Sequence, residues 1–135
     1  MKEKFMRFGD YIRKKRLADP RELTMEDVAQ YLGYTPQYIS LIENNNKRPF
    51  EGEKLQKLAE FLYLTEEESA FMFDLAGRES REVPYDIEDT LMYEEVGDLI
   101  RYAARQTKAG YIKEEAWKTF IRQQEEEKER LKKEK

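Results

Sequence analysis

The sequence predicts an all-α protein made of short amphipathic helices, and three observations carry that reading. Apolar residues recur at helical spacing, as in Met25, Val28, Ala29 and Leu32 and again in Leu55, Leu58, Ala59 and Leu62. Capping residues stand just ahead of those stripes. No alternation of apolar and polar residues runs long enough to argue for a sheet.

In chain order, helices are expected at about 6–18, 25–32, 36–44, 51–63, 66–76, 88–106 and 113–132. Thr24 with Asp27 is a weak capping box for the second helix. Thr35 followed by Pro36 caps the third, with proline at the position where a missing N–H costs nothing. Thr65 with Glu68 is a fuller capping box for the fifth. Gly33 and Gly77 fall just past apolar stripes, where a left-handed C-cap is wanted. Val96, Leu99, Ile100 and Ala103 give the sixth helix its face, and Trp117, Phe120 and Ile121 begin the seventh. The first five helices read as one domain over 1–77, the polar segment 78–87 as a linker, and 88–135 as a helical extension. The tail 123–135 is almost wholly charged and is expected to be a fraying helix end.

Composition narrows the function. The 135 residues include no cysteine and no histidine, which removes disulfides, thiolate zinc sites, Cys nucleophiles and His general bases. No carboxylate pair has a context that argues for acid–base work, so neither an enzyme nor a cofactor nor a metal is expected. Glu66–Glu68 suit the positive end of a helix dipole, and Glu125–Glu127 belong to a charged surface helix. No stretch is apolar enough to span a bilayer and no signal-peptide pattern is present, so a soluble, cytoplasmic protein with no membrane partner is expected. The net charge of −4 is unevenly spread: residues 1–50 carry +3, 51–100 carry −11 and 101–135 carry +4. A nucleic acid would be accepted by the first segment and repelled by the second, so binding would be local and oriented.

Residues Thr24–Asn44 hold the informative pattern. Two short helices flank a turn at Gly33–Thr35, with the small Ala29 four residues before the glycine, so that the helices can cross closely. Ile39 and Ile42 continue the apolar stripe, which leaves Pro36, Gln37, Ser40, Leu41 and Asn44 projecting outward. This window resembles the helix-turn-helix of the lambda-repressor/Cro-like (XRE) family of bacterial and phage regulators. Phe8–Arg16 resembles that family's first helix, Ile42–Asn45 with Lys47–Pro49 the end of its recognition helix and following loop, and Leu55–Leu62 its fourth helix. The match spans roughly residues 5–76.

The resemblance implies a five-helix lambda-repressor-like domain that places helix 36–44 in the major groove of double-stranded DNA. Base readout then falls to Gln37 first, whose amide can pair with adenine, and to Pro36, Tyr38, Ser40 and Leu41, the last able to meet a thymine methyl. Thr24, Thr35, Asn44, Asn46, Lys47 and Arg48 are placed for phosphate contact. Arg16 and Glu43 match positions that form a structural ion pair in the family. Plainer readings stand beside these: Leu41 as a dimer or core contact, Tyr34 and Tyr38 as half-buried supports, Lys14 and Lys15 as a solvated face. The chain departs from the family at Met25, where a phosphate-touching Gln is common. It departs again in the long link Ala18–Leu23, where Arg21 either adds a phosphate contact or is solvated.

Residues 83–135 lie outside the resemblance, and their two amphipathic helices each need a partner for one face. Phe71, Phe73, Leu91, Met92, Tyr93 and Trp117 are an aromatic-rich supply for an interface, and residues 65–121 are expected to mediate homodimerisation on a palindromic operator. Two functions compete: a repressor of a bacterial or mobile-element operon, nucleoid-associated, and an antitoxin that neutralises a toxin or other small protein through its C-terminal helices. A scaffold role with the helix-turn-helix retained as structure stands third.

Overall fold

The computed structural model describes residues 6–134; the first five residues of the expected N-terminal domain and Lys135 of the tail lie outside them. The described residues form eight α-helices and no strand. These are α1 (Phe8–Ala18), α2 (Met25–Leu32), α3 (Pro36–Glu43), α4 (Glu53–Phe61), α5 (Glu66–Ser80), α6 (Glu88–Met92), α7 (Glu95–Lys108) and α8 (Glu114–Glu134), with a short 3-10 turn at Tyr85–Ile87. They fall into two compact units, one ending at Glu88 and the other starting at Asp89.

In the first unit α2 packs on α3 and α4, and α1 packs on α3 and α5. Helices α2 and α3 are only 8 residues each. Segments that short are marginal in isolation, so burial of one face must hold them. Phe8, Leu32, Ile39, Ile42, Leu58, Met72 and Leu75 form the fully buried centre. Each such side chain contributes roughly 1.5–3 kcal/mol by leaving water. Caps fix where the helices begin. Thr24 and Asp27 exchange side chain to backbone bonds of 2.8 and 3.1 Å, and Thr65 and Glu68 do the same at 2.9 and 3.1 Å.

Helix α1 has no local cap, because Arg7 stands at its N-cap position and makes no capping bond. Distant residues do that work. The Phe8 amide donates to Glu79 Oε2 at 2.5 Å, and the Gly9 amide donates to Asn45 Oδ1 at 3.1 Å. Orphan first-turn amides are thus satisfied from α5 and from Asn45, two residues past α3.

Gly77 is not a C-cap. Helix α5 continues to Ser80, and the left-handed cap is Arg81, at φ 56°. Gly77 is instead buried beneath the returning chain: a Cβ there would lie 2.8 Å from the Glu82 carbonyl oxygen and 3.2 Å from the Pro84 nitrogen. Residues 78–87 are therefore not a free linker. Their first three residues complete α5, and Tyr85 packs on Phe73 with ring centroids 6.1 Å apart.

The second unit also differs from the expected single helix over 88–106. The chain breaks at Tyr93–Glu94, where both amides bond back to the Asp89 carbonyl at 2.9 and 3.1 Å. The end of α6 then lies against Gly97, where a Cβ would come within 2.5 Å of the Leu91 carbonyl oxygen. Arg101 donates to that same carbonyl. Helices α7 and α8 meet near their joining turn, where Trp117 Nε1 donates to Thr107 Oγ1 at 2.8 Å. The charged tail is helical to Glu134, and Arg130 bonds both Glu127 and Glu134.

Candidate nucleic-acid interface

The helix-turn-helix is built around Gly33. Its φ of 83° is the left-handed conformation that ends α2, and the Gly33 and Tyr34 amides bond the Ala29 carbonyl at 2.8 and 2.9 Å. Lys54, from α4, donates to the Leu32 carbonyl and lies 5.1 Å from the Tyr34 ring centroid. A cation at the carbonyl end of α2 is favoured by the helix dipole. The chain turns through Thr35, whose hydroxyl accepts from the Tyr38 amide at 3.1 Å, and Pro36 opens α3.

Helix α3 is held from behind. Ile39 and Ile42 are buried against the core, and Glu43 receives Arg16 Nε and Nη2 at 2.8 and 2.9 Å. Arg16 also donates to the Leu23 carbonyl at 2.9 Å, and its hydrogen bond to Glu43 raises the guanidinium pKa. The bond is bidentate and dry, tying α1, the α1–α2 link and α3 together.

The outer face is then defined. Pro36, Gln37, Leu41 and Asn44 are exposed, and Ser40 is half-buried with its hydroxyl accepting from Asn44 Nδ2 at 3.3 Å. Tyr38 is also half-buried, its ring tilted against Tyr34 with centroids 4.6 Å apart, and Phe50 lies behind both rings. Burial raises the Tyr34 phenol pKa above its usual value. The two tyrosines thus brace the turn through their rings. Beyond α3, Asn46 and Lys47 are exposed, and a cleft of about 840 Å³ runs past Tyr34, Tyr38, Asn46 and Lys47 to Arg7 and Arg48.

Other positions differ from their sequence reading. Arg48 is exposed, but its Nη2 donates to the Ser80 carbonyl at 3.0 Å, so part of its fork anchors the loop to α5. The Thr24 amide and hydroxyl are both committed to Asp27, whose carboxyl is held below its usual pKa by those bonds. An anion approaching α2 is left the neighbouring first-turn amides, beside a carboxylate. Met25 is packed against the core. Arg21 is exposed, but its guanidinium is engaged by the protein itself. It grips Asp19 at 2.8 and 2.9 Å, donates to the Phe61 carbonyl at 2.6 Å, and lies over the Phe61 and Tyr63 rings. The long link is thereby clamped to the end of α4.

Two residues that shape this interface are missing from the sequence reading. Asn45, at φ 62°, bonds Gly9 and donates to Asp10 Oδ1 at 3.0 Å. Gly9 lets α1 approach the end of α3 closely. An asparagine just past a helix end is a signal for a left-handed residue, but nothing local shows which amide it will cap.

Residues 12–68 match the family model described as Helix-turn-helix. Neither the comparison with curated proteins nor that with solved structures gives a match. The matched segment runs from within α1 to the first turn of α5 and so contains the whole turn, the buried ion pair and the outer face of α3. Residues 12–68 thus carry a helix-turn-helix of the kind that the family model describes, and the all-α architecture of the described residues agrees with that match.

Proposed function

We propose that the protein is a repressor that reads a palindromic operator as a pair of copies, each inserting α3 into the major groove. One observation supports this above the others. The core and the Arg16–Glu43 bond fix the inner side of α3, while Pro36, Gln37 and Leu41 are left exposed at its N-terminal and central turns. A rigid helix with a polar and apolar outer face is what base-edge readout needs. Gln37 reads adenine and Leu41 meets a thymine methyl; Tyr38 and Ser40 contribute from the sides. Asn44, Asn46, Lys47, Thr35 and the open side of Arg48 hold phosphates, and the amides beside Thr24 add a contact from α2.

The test is selection of binding sites from a randomised duplex at about 150 mM salt. The parent chain is expected to enrich a palindrome, and Gln37→Ala to lose preference at one position per half-site. Weak, salt-sensitive binding with no enriched sequence would overturn the reading.

A second reading, an antitoxin, is favoured by the uncovered apolar surface of α7 and α8. Co-purification of a second small protein that is lost on truncation after Glu88 would support it.

A further inference from the structure

The second unit has almost no interior of its own. Among its described residues only Gly97 is buried, while Leu99 is 70 % and Tyr102 63 % exposed. Both lie on α7, and Glu95, Leu99, Tyr102 and Gln106 follow i, i+4, i+7 and i+11, the spacing of a two-helix seam. Helix α8 does not cover that seam. Its bond to α7 is made at Thr107, which lies ~140° around the helix from Tyr102.

The charge on α7 indicates what covers it. Glu95 and Asp98 stand in the first turn, and Arg105 and Lys108 in the last. The acidic half and the basic half are fully segregated: no basic residue precedes Arg101 in this helix and no acidic residue follows it. Helix α8 carries no such polarity, since its acidic and basic residues are interspersed from Glu114 to Glu134. A helix with separated halves is complementary to itself when turned end for end.

We propose that α7 pairs antiparallel with α7 of a second copy about a two-fold axis. The register follows from the seam. Leu99 of each copy packs on Tyr102 of the other, and Glu95 faces Gln106. In that register Asp98 of one copy, which also pairs with Arg101 of its own helix but is largely exposed, lies beside Arg105 of the other, on both sides of the axis. This deepens the reading above, because it rests on two copies acting together and names the surface that joins them. The contact is small, as α7 is 14 residues long. Association in the micromolar range is therefore expected.

The absence of native cysteine makes the test clean. Full-length Glu95→Cys and Gln106→Cys variants are purified separately, then oxidised alone and mixed, without DNA, at about 50 µM chain. The mixture is expected to give at least ten-fold more cross-linked pair than either variant alone. In the antiparallel register two copies of position 95 are ~16 Å apart along the axis, beyond disulfide reach. Cross-linking of Glu95→Cys with itself would show a parallel pair and overturn the proposal. So would a mixture that fails to cross-link while circular dichroism shows α7 and α8 intact. A second readout uses charge: Asp98→Lys and Arg105→Glu are each expected to lower the dimer mass seen by light scattering, and mixing the two to restore it. Loss of helix alone would not be rescued by mixing. A cross-linked pair with no enriched DNA site would leave this interface standing and the DNA reading fallen; an enriched palindrome with no cross-link would do the reverse.

Discussion

Gly9 lies so close beneath Ile42 that a Cβ on it would sit 2.2 Å from the Ile42 carbonyl oxygen. The same Cβ would be 2.6 Å from Asn45 Oδ1 and 2.8 Å from the Glu43 carbonyl oxygen. The atoms in the way are mainly backbone, so they cannot swing aside. Gly9→Ala is expected to push α1 off the end of α3 and cost about 3 kcal/mol, the upper range for overpacking. Denaturant unfolding monitored by circular dichroism measures it. A loss within 0.5 kcal/mol, roughly the level of a neutral surface change, would show that the helices separate freely.

The Arg16–Glu43 bond is worth more broken than its presence suggests. Removing the carboxylate leaves a guanidinium buried with one carbonyl partner. Glu43→Ala is expected to cost about 3–5 kcal/mol, and Glu43→Gln less, because the amide oxygen still accepts a hydrogen bond. Thermal melting of the two variants beside the parent decides it, and an unchanged melting temperature for Glu43→Ala would refute it.

Lys47 and Arg21 are both exposed cations, yet they should behave differently. Lys47→Ala is expected to weaken binding about equally for all sequences and to reduce the slope of log affinity against log salt by about 0.9. Arg21→Ala should leave that slope unchanged, since its guanidinium is committed to Asp19, Phe61 and Tyr63. Salt titrations of a single duplex with both variants measure this. A slope change with Arg21→Ala would place the link against DNA.

Acid should release the Asp19 clamp. Hydrogen bonds from Arg21 hold the Asp19 carboxyl down to about 2, below its ordinary value of 3.8. A depressed carboxylate stabilises the fold above the unfolded pKa, and that contribution is lost as pH falls through the folded one. The parent should therefore melt higher than Asp19→Asn at pH 5, with the gap closing between pH 3.8 and about 2. A gap that stays constant across that window would rule the linkage out.

Much of this protein is legible in local sequence. The apolar stripes, the boxes at Thr24 and Thr65, the turn at Gly33 and the proline of α3 each act within a few residues. A reader of sequence therefore recovers the helix-turn-helix and its outward face. Gly77 misleads because a glycine is chosen equally for a left-handed turn and for close approach of another segment, and only the second applies here.

The sequence by itself determined the all-α class, the order of the first five helices and the helix that faces outward, because periodicity and capping are short-range. Tertiary structure alone decided how α1 is capped, by Glu79 and Asn45, where the α6–α7 break falls, and that Arg21 and Arg48 are partly or wholly engaged by the protein itself. Those outcomes depend on groups up to 71 residues apart. A donor's partner is set by which acceptor the packed core brings near, and no spacing along the chain encodes that distance.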